Sequence, residues 1–163
     1  MREADRQQIV DVVETVLPNE VHDRLIARGL RAVVIRPDDL SRAATESEDL
    51  EDRLSYAGMA RAYDVDRVLK LAYDGTIRHG AGTVEWLGGL IAMDYPSDTS
   101  WFDLHLEATL VDPSSSENLQ TLTVSGTRHS ELFTMLGGTS ERDRMAGLTQ
   151  ELADELVDRL LGP

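Results

Sequence analysis

Residues 101 to 128 carry two runs of alternating polarity, Trp101 to Asp112 and Leu119 to Arg128, joined by the turn-forming stretch Pro113-Ser-Ser-Ser-Glu-Asn118. In the first run Phe102, Leu104, Leu106, Ala108 and Leu110 point one way, while Trp101, Asp103, His105, Glu107 and Thr109 point the other. A period of two marks a half-buried strand, so this stretch is predicted to be a β-hairpin with one covered and one exposed face.

Upstream, Ile9, Val12, Val13, Val16, Leu17, Val21, Leu25 and Ile26 fall on one helical stripe that Gly29 ends. Pro18 lacks the N–H that a helix interior needs, which predicts a kink or break near Leu17, with Asn19 recapping the second half. Leu30 to Ile35 is short, β-branched and almost wholly apolar, the signature of a buried strand. Leu50, Leu54, Ala57 and Ala60 carry a second helix. Val65 to Ile77 then alternates, with Leu69, Leu71, Tyr73 and Ile77 on one side and Lys70, Asp74, Thr76 and Arg78 on the other. A last helix, capped by Thr139 or Ser140, keeps Met145, Leu148, Leu152, Leu156, Val157, Leu160 and Leu161 on one stripe. The predicted order is α-β-α-β-β-β-α: an α/β (α+β) fold with a mixed sheet and helices mainly on one face. A Gly-rich apolar insert at 79 to 100 holds Val84, Trp86, Leu87, Leu90, Ile91 and Met93. So much apolar surface in a long connection is expected to fold down, to pair or to meet a partner.

At 163 residues the chain is one domain of ordinary size, 1 to 163. Its 30 Asp and Glu against 16 Lys and Arg give a formal charge of -14, which repels phosphate backbones and anionic headgroups, so nucleic acid is not expected as a partner. The absence of cysteine removes disulfides, thiolate metal sites and thiol nucleophiles. No apolar run approaches the roughly 18 residues of a membrane span.

Three short phrases resemble periplasmic α/β lipoproteins of Gram-negative bacteria, of the curli-secretion CsgG type and the amino-terminal domain of TolB. A helix ends before a short strand in Arg24-Leu25-Ile26-Ala27-Arg28-Gly29-Leu30-Arg31-Ala32-Val33-Val34. A second does so in Ala57-Gly58-Met59-Ala60-Arg61-Ala62-Tyr63-Asp64-Val65-Asp66-Arg67-Val68-Leu69, and a strand closes in Ala108-Thr109-Leu110-Val111-Asp112-Pro113. The family's usual first strand is missing, Asp64 stands where a Gly-Ala-Asp triplet starts, and the 79 to 100 insert has no counterpart. The resemblance implies an accessory role in secretion, envelope assembly or lipid transport, exercised through oligomers or an envelope protein partner, with no catalytic residues and no cofactor. It also implies a periplasmic location and a lipid anchor at the outer membrane on a leader removed from this sequence; with Met1 as the native start, the protein would be cytoplasmic.

Aligning the apolar faces predicts a register in which paired residue numbers add to about 179 for the first strand pair and about 230 for the second. That brings Asp74, His105 and Ser125 into one exposed row, the composition of a hydrolytic triad on a face without an oxyanion hole. The alternative to a contact protein is accordingly a small ligand-binding or hydrolytic domain using this face. The same register sets Arg78, Trp101 and His129 side by side, an interface anchor in which cation-π stacking contributes about 0.5 to 1 kcal/mol. Trp86, Leu87, Leu90 and Ile91 of the insert are further contact candidates. His22, His79, His105 and His129 lack any metal-ligand spacing, Gly80-Ala81-Gly82-Thr83-Val84-Glu85 fails as a nucleotide loop, and the acids from Glu46 to Asp52 lack the EF-hand pattern.

Overall fold

In the computed structural model the described residues are 3–36, 55–79, 82–84, 93–95, 100–129 and 140–162. Their elements, in order, are α1 (Glu3–Ala27), α2 (Tyr56–Tyr63), β1 (Val68–His79), β2 (Gly82–Val84), β3 (Met93–Tyr95), β4 (Ser100–Val111), β5 (Asn118–His129) and α3 (Glu141–Leu161). The fold is mixed helix and sheet, with α1 and α3 on one face, as the sequence pattern predicts.

The central hairpin forms as expected. Its turn is held by Asp112, whose Oδ1 accepts from the Ser114 N–H at 2.9 Å and whose own N–H donates to the Glu117 carbonyl at 2.9 Å. The Ser114 hydroxyl also donates to Asp112 Oδ1, at 2.6 Å, and together with the Ser114 N–H it holds the Asp112 carboxyl below the usual range. β4 lies between β1 and β5, antiparallel to both. The observed pairs, Val68 with Val111 and Trp101 with His129, are the register read from the apolar faces. Phe102, Leu104, Leu106 and Ala108 are buried and His105 is exposed.

α1 and α3 are parallel, because the pairs Arg24 with Asp154 and Arg28 with Asp158 rise together along both helices. Their apolar stripes meet the sheet around a row made of Gly75, Leu104 and Gly126. A Cβ on Gly75 would lie 2.8 Å from Ile9 Cγ2, and one on Gly126 would lie 2.8 Å from Leu148 Cδ1. The two glycines thus let α1 settle onto β1 and α3 onto β5, with fully buried Leu104 between them. Arg159 of α3 donates to the Thr123 carbonyl of β5 at 3.4 Å.

Two expectations are corrected. Leu30 to Ile35 runs without a ladder partner among the described residues, and Leu30 and Val33 are each 44% exposed, so the sheet is antiparallel rather than mixed. Its residues have strand propensity, but Arg31 ties the segment to the end of α2 through Asp64 at 3.1 Å and the Tyr63 carbonyl at 3.3 Å. Second, α1 passes through Pro18 as one 25-residue helix. Asn19 does not recap it; its side-chain amide donates to the Thr15 carbonyl at 2.8 Å, and buried Leu17 and Val21 hold both halves on the core. Part of the insert pairs, one of the outcomes expected for it: β2 and β3 form a two-stranded antiparallel ladder. Trp86, Leu87, Leu90 and Ile91 lie outside the described residues, as do Leu50 and Leu54.

Ser55 caps α2, accepting from the Gly58 N–H at 3.0 Å, and Asp64 closes it with φ of 52° in the left-handed region. Asp tolerates that conformation better than most residues because its short side chain hydrogen-bonds locally. Ser140 caps α3, accepting from the Asp143 N–H at 3.1 Å.

Candidate functional site

The sheet face turned away from α1 and α3 is not open along its whole length. Thr109 and Val111 are buried at one end, where the Lys70 ammonium lies 5.7 Å from the Tyr56 ring centroid and brings α2 onto this face. Beyond them the face opens into three successive rows across β1, β4 and β5. These are Asp74, His105 and Ser125, then Thr76, Asp103 and Thr127, then Arg78, Trp101 and His129. Alternation along each strand puts all nine on one surface, and cross-strand neighbours are about 5 Å apart.

The structure therefore assembles both predicted rows. In the first, no hydrogen bond joins Asp74 to His105 or His105 to Ser125, and none of these three, nor Thr76, bonds elsewhere in the protein among the described residues. In the third, Trp101 and His129 meet edge to face, with ring centroids 5.9 Å apart and planes at 79°. The expected stacking of Arg78 on Trp101 is replaced by a stronger interaction. The Arg78 guanidinium forks onto Asp103, Nε to Oδ2 at 2.7 Å and Nη2 to Oδ1 at 3.1 Å. A bidentate charged pair of this kind outweighs the attraction of a ring face at an exposed position.

Asp103 is the residue that sequence reasoning missed. It sits one strand away and one row below Arg78, and it also accepts from the Thr127 hydroxyl at 2.7 Å. Arg78 lowers the Asp103 carboxyl below the usual carboxylate range; partial burial opposes the shift and Thr127 reinforces it. The signal was present in the alternation, since a diagonal acid and base on one sheet face are within reach of a long side chain. The result is a closed triad, Arg78, Asp103 and Thr127, beside an open set of polar groups in the first row. Between them lies a shallow depression of about 400 Å³ lined by both sets.

Among the described residues no group of three or more His, Asp or Glu is placed to hold a metal ion, and no helix is long and apolar enough to cross a membrane. No protein-family model matches the chain, and no curated protein matches it. Among solved structures, the lipoprotein GNA1162 of Neisseria meningitidis is similar over 85% of this chain and 79% of that one, at 14% identity and a TM-score of 0.44.

Proposed function

We propose that this chain is a non-enzymatic accessory domain of the bacterial cell envelope, periplasm-facing and lipid-anchored in its full-length form, which works by contact with copies of itself or with an envelope protein. The observation that carries this reading is the pre-ordered outer rim of the open sheet face. Trp101 is held edge-on by His129, and Arg78 is fixed by Asp103, so two residue types enriched at interface hot spots are presented with little conformational freedom left to lose. The envelope assignment draws on the three phrases that resemble periplasmic lipoproteins. The non-enzymatic assignment is supported by the lack of any hydrogen bond within the Asp74, His105 and Ser125 row, where a nucleophile and its base need one.

The test is site-specific photo-cross-linking in cells expressing the full-length gene. A benzophenone amino acid replacing Trp101 is expected to give a discrete protein adduct in the envelope fraction, and the same probe replacing exposed Asp11 on α1 is not. Equal labelling from both positions, or none from Trp101, contradicts a contact role for this rim. Esterase turnover abolished by Ser125→Ala would overturn the non-enzymatic reading.

A further inference from the structure

The depression next to that rim has its own chemistry. Its lining side chains are polar: carboxylates from Asp74 and Asp103, hydroxyls from Thr76, Ser125 and Thr127, the His105 imidazole, and Arg78 at one side, together with the backbone of Gly126. Among the described residues no apolar side chain lines it, so an apolar ligand would desolvate these groups without pairing them. Arg78 is already neutralised by Asp103, and Asp74 adds a further negative charge on a chain of formal charge -14, so an anion is repelled. No three ligating side chains converge on a point among the described residues, which disfavours a bound cation.

What is left unpaired is specific. Asp74 offers acceptors only, Thr76 and Ser125 offer hydroxyls that both donate and accept, and the His105 imidazole offers two ring nitrogens. Among the described residues none of the four has a hydrogen-bond partner. They occupy adjacent rows, Asp74, His105 and Ser125 about 5 Å apart across the strands and Thr76 one side-chain repeat along. A complementary ligand is uncharged and carries several groups that donate and accept together at roughly the spacing of ring hydroxyls.

We propose that this depression binds a neutral polyhydroxylated ligand, a saccharide unit of a glycan, with Asp74, His105 and Ser125 hydrogen-bonding its hydroxyls and the Arg78–Asp103–Thr127 triad walling one side. The site shares with the proposed function the reading of this sheet face as the working surface, but does not require a protein partner at Trp101. Because the depression is shallow and wet, affinity for a single short saccharide is on the order of millimolar.

Two-dimensional amide NMR titration of the intact chain, with chitotetraose and maltotetraose as neutral saccharides, tests it. Inorganic phosphate and a neutral Ser/Thr/Asn-rich peptide serve as competing chemistries. At least one saccharide is expected to shift amides around Asp74, His105 and Ser125 saturably. Asp74→Asn with His105→Ala should weaken it by about tenfold or more, a change of about 1.4 kcal/mol. Ser125→Ala alone should give a smaller loss, and Gln7→Ala on α1 none; all four positions are at the surface, and an unchanged remainder of the spectrum checks folding. The proposal is overturned if neither saccharide shifts these amides at tens of millimolar, about tenfold above that expected affinity. It is equally overturned if binding survives in the double variant, or if phosphate or the peptide shifts these amides and the saccharides do not. Cross-linking from Trp101 that persists without saccharide binding rejects this site alone, and saccharide binding without cross-linking rejects only the protein-contact reading.

Discussion

Gly126 and Gly147 differ in what an added methyl group meets, so one substitution made at both should change stability in opposite directions. At Gly126 a Cβ falls 2.8 Å from Leu148 Cδ1, 3.4 Å from Leu152 Cδ2 and 3.6 Å from Leu152 Cδ1. Carbon atoms pack best at about 3.5 to 4.0 Å, so the closest of these must yield by most of an ångström. Leu148 and Leu152 are each only 4% exposed and are packed against the sheet, which leaves their tips little room to turn. Overpacking of this kind costs about 1 to 3 kcal/mol, and the reduced freedom of the unfolded chain returns about 0.4 to 1 kcal/mol. Gly126→Ala is therefore expected to destabilise by about 1 kcal/mol, a fall of about 2 to 4 °C in Tm. At Gly147, inside α3, a Cβ meets nothing within 4 Å, so the helical preference of Ala over Gly, about 0.8 to 1 kcal/mol, should appear as a gain. Urea unfolding followed by circular dichroism gives both signs as midpoint shifts at unchanged slope. Leu148→Val should relieve part of the cost of Gly126→Ala, a coupling of at least about 0.5 kcal/mol in a double-mutant cycle. A Gly126→Ala protein as stable as the parent, or strict additivity with Leu148→Val, would refute the claim that this glycine exists to let α3 approach.

Leu106→Ala should cost about 2 to 5 kcal/mol by urea unfolding, since Leu106 is 1% exposed, whereas the neighbouring His105→Ala should stay within about 0.5 kcal/mol of the parent; the reverse ranking would mean a register error of one residue. Tyr73 is raised to about 12, first by burial and then by the Glu14 carboxylate, which accepts from its hydroxyl at 3.2 Å. A raised folded-state value means its contribution to stability is complete below the ordinary tyrosine value near 10 and is lost as pH climbs from there towards 12, so Tyr73→Phe should remove a phenol that titrates towards 12 from an absorbance titration at high pH. The Asp103 carboxyl is lowered by Arg78, so its contribution is present at neutral pH and is lost as pH falls through and below the ordinary Asp range; Asp103→Asn should make stability less dependent on pH in that acidic window, and an unchanged acid profile would show the pair to be without energetic effect.

Much of the sheet was legible in the chain because its cause is local. A strand buried on one face must alternate, and once the apolar faces of β1, β4 and β5 are aligned the register follows, including both cross-strand rows. The amphipathic stripes of α1 and α3 and the cap at Ser140 are equally local. Other features depend on tertiary structure. Leu30 to Ile35 has the composition of a strand, but it joins neither outer edge of the described sheet, and its arginine is claimed by the end of α2. Pro18 has the chemistry of a helix break, yet the core contacts on both sides of it outweigh the missing hydrogen bond. Gly75 and Gly126 read as weak points in strands until Ile9 and Leu148 are seen to occupy the space above them. Arg78 and Trp101 were correctly placed side by side, but alternation says only which side chains share a face; the carboxylate at a suitable distance and angle decided that Arg78 pairs with Asp103.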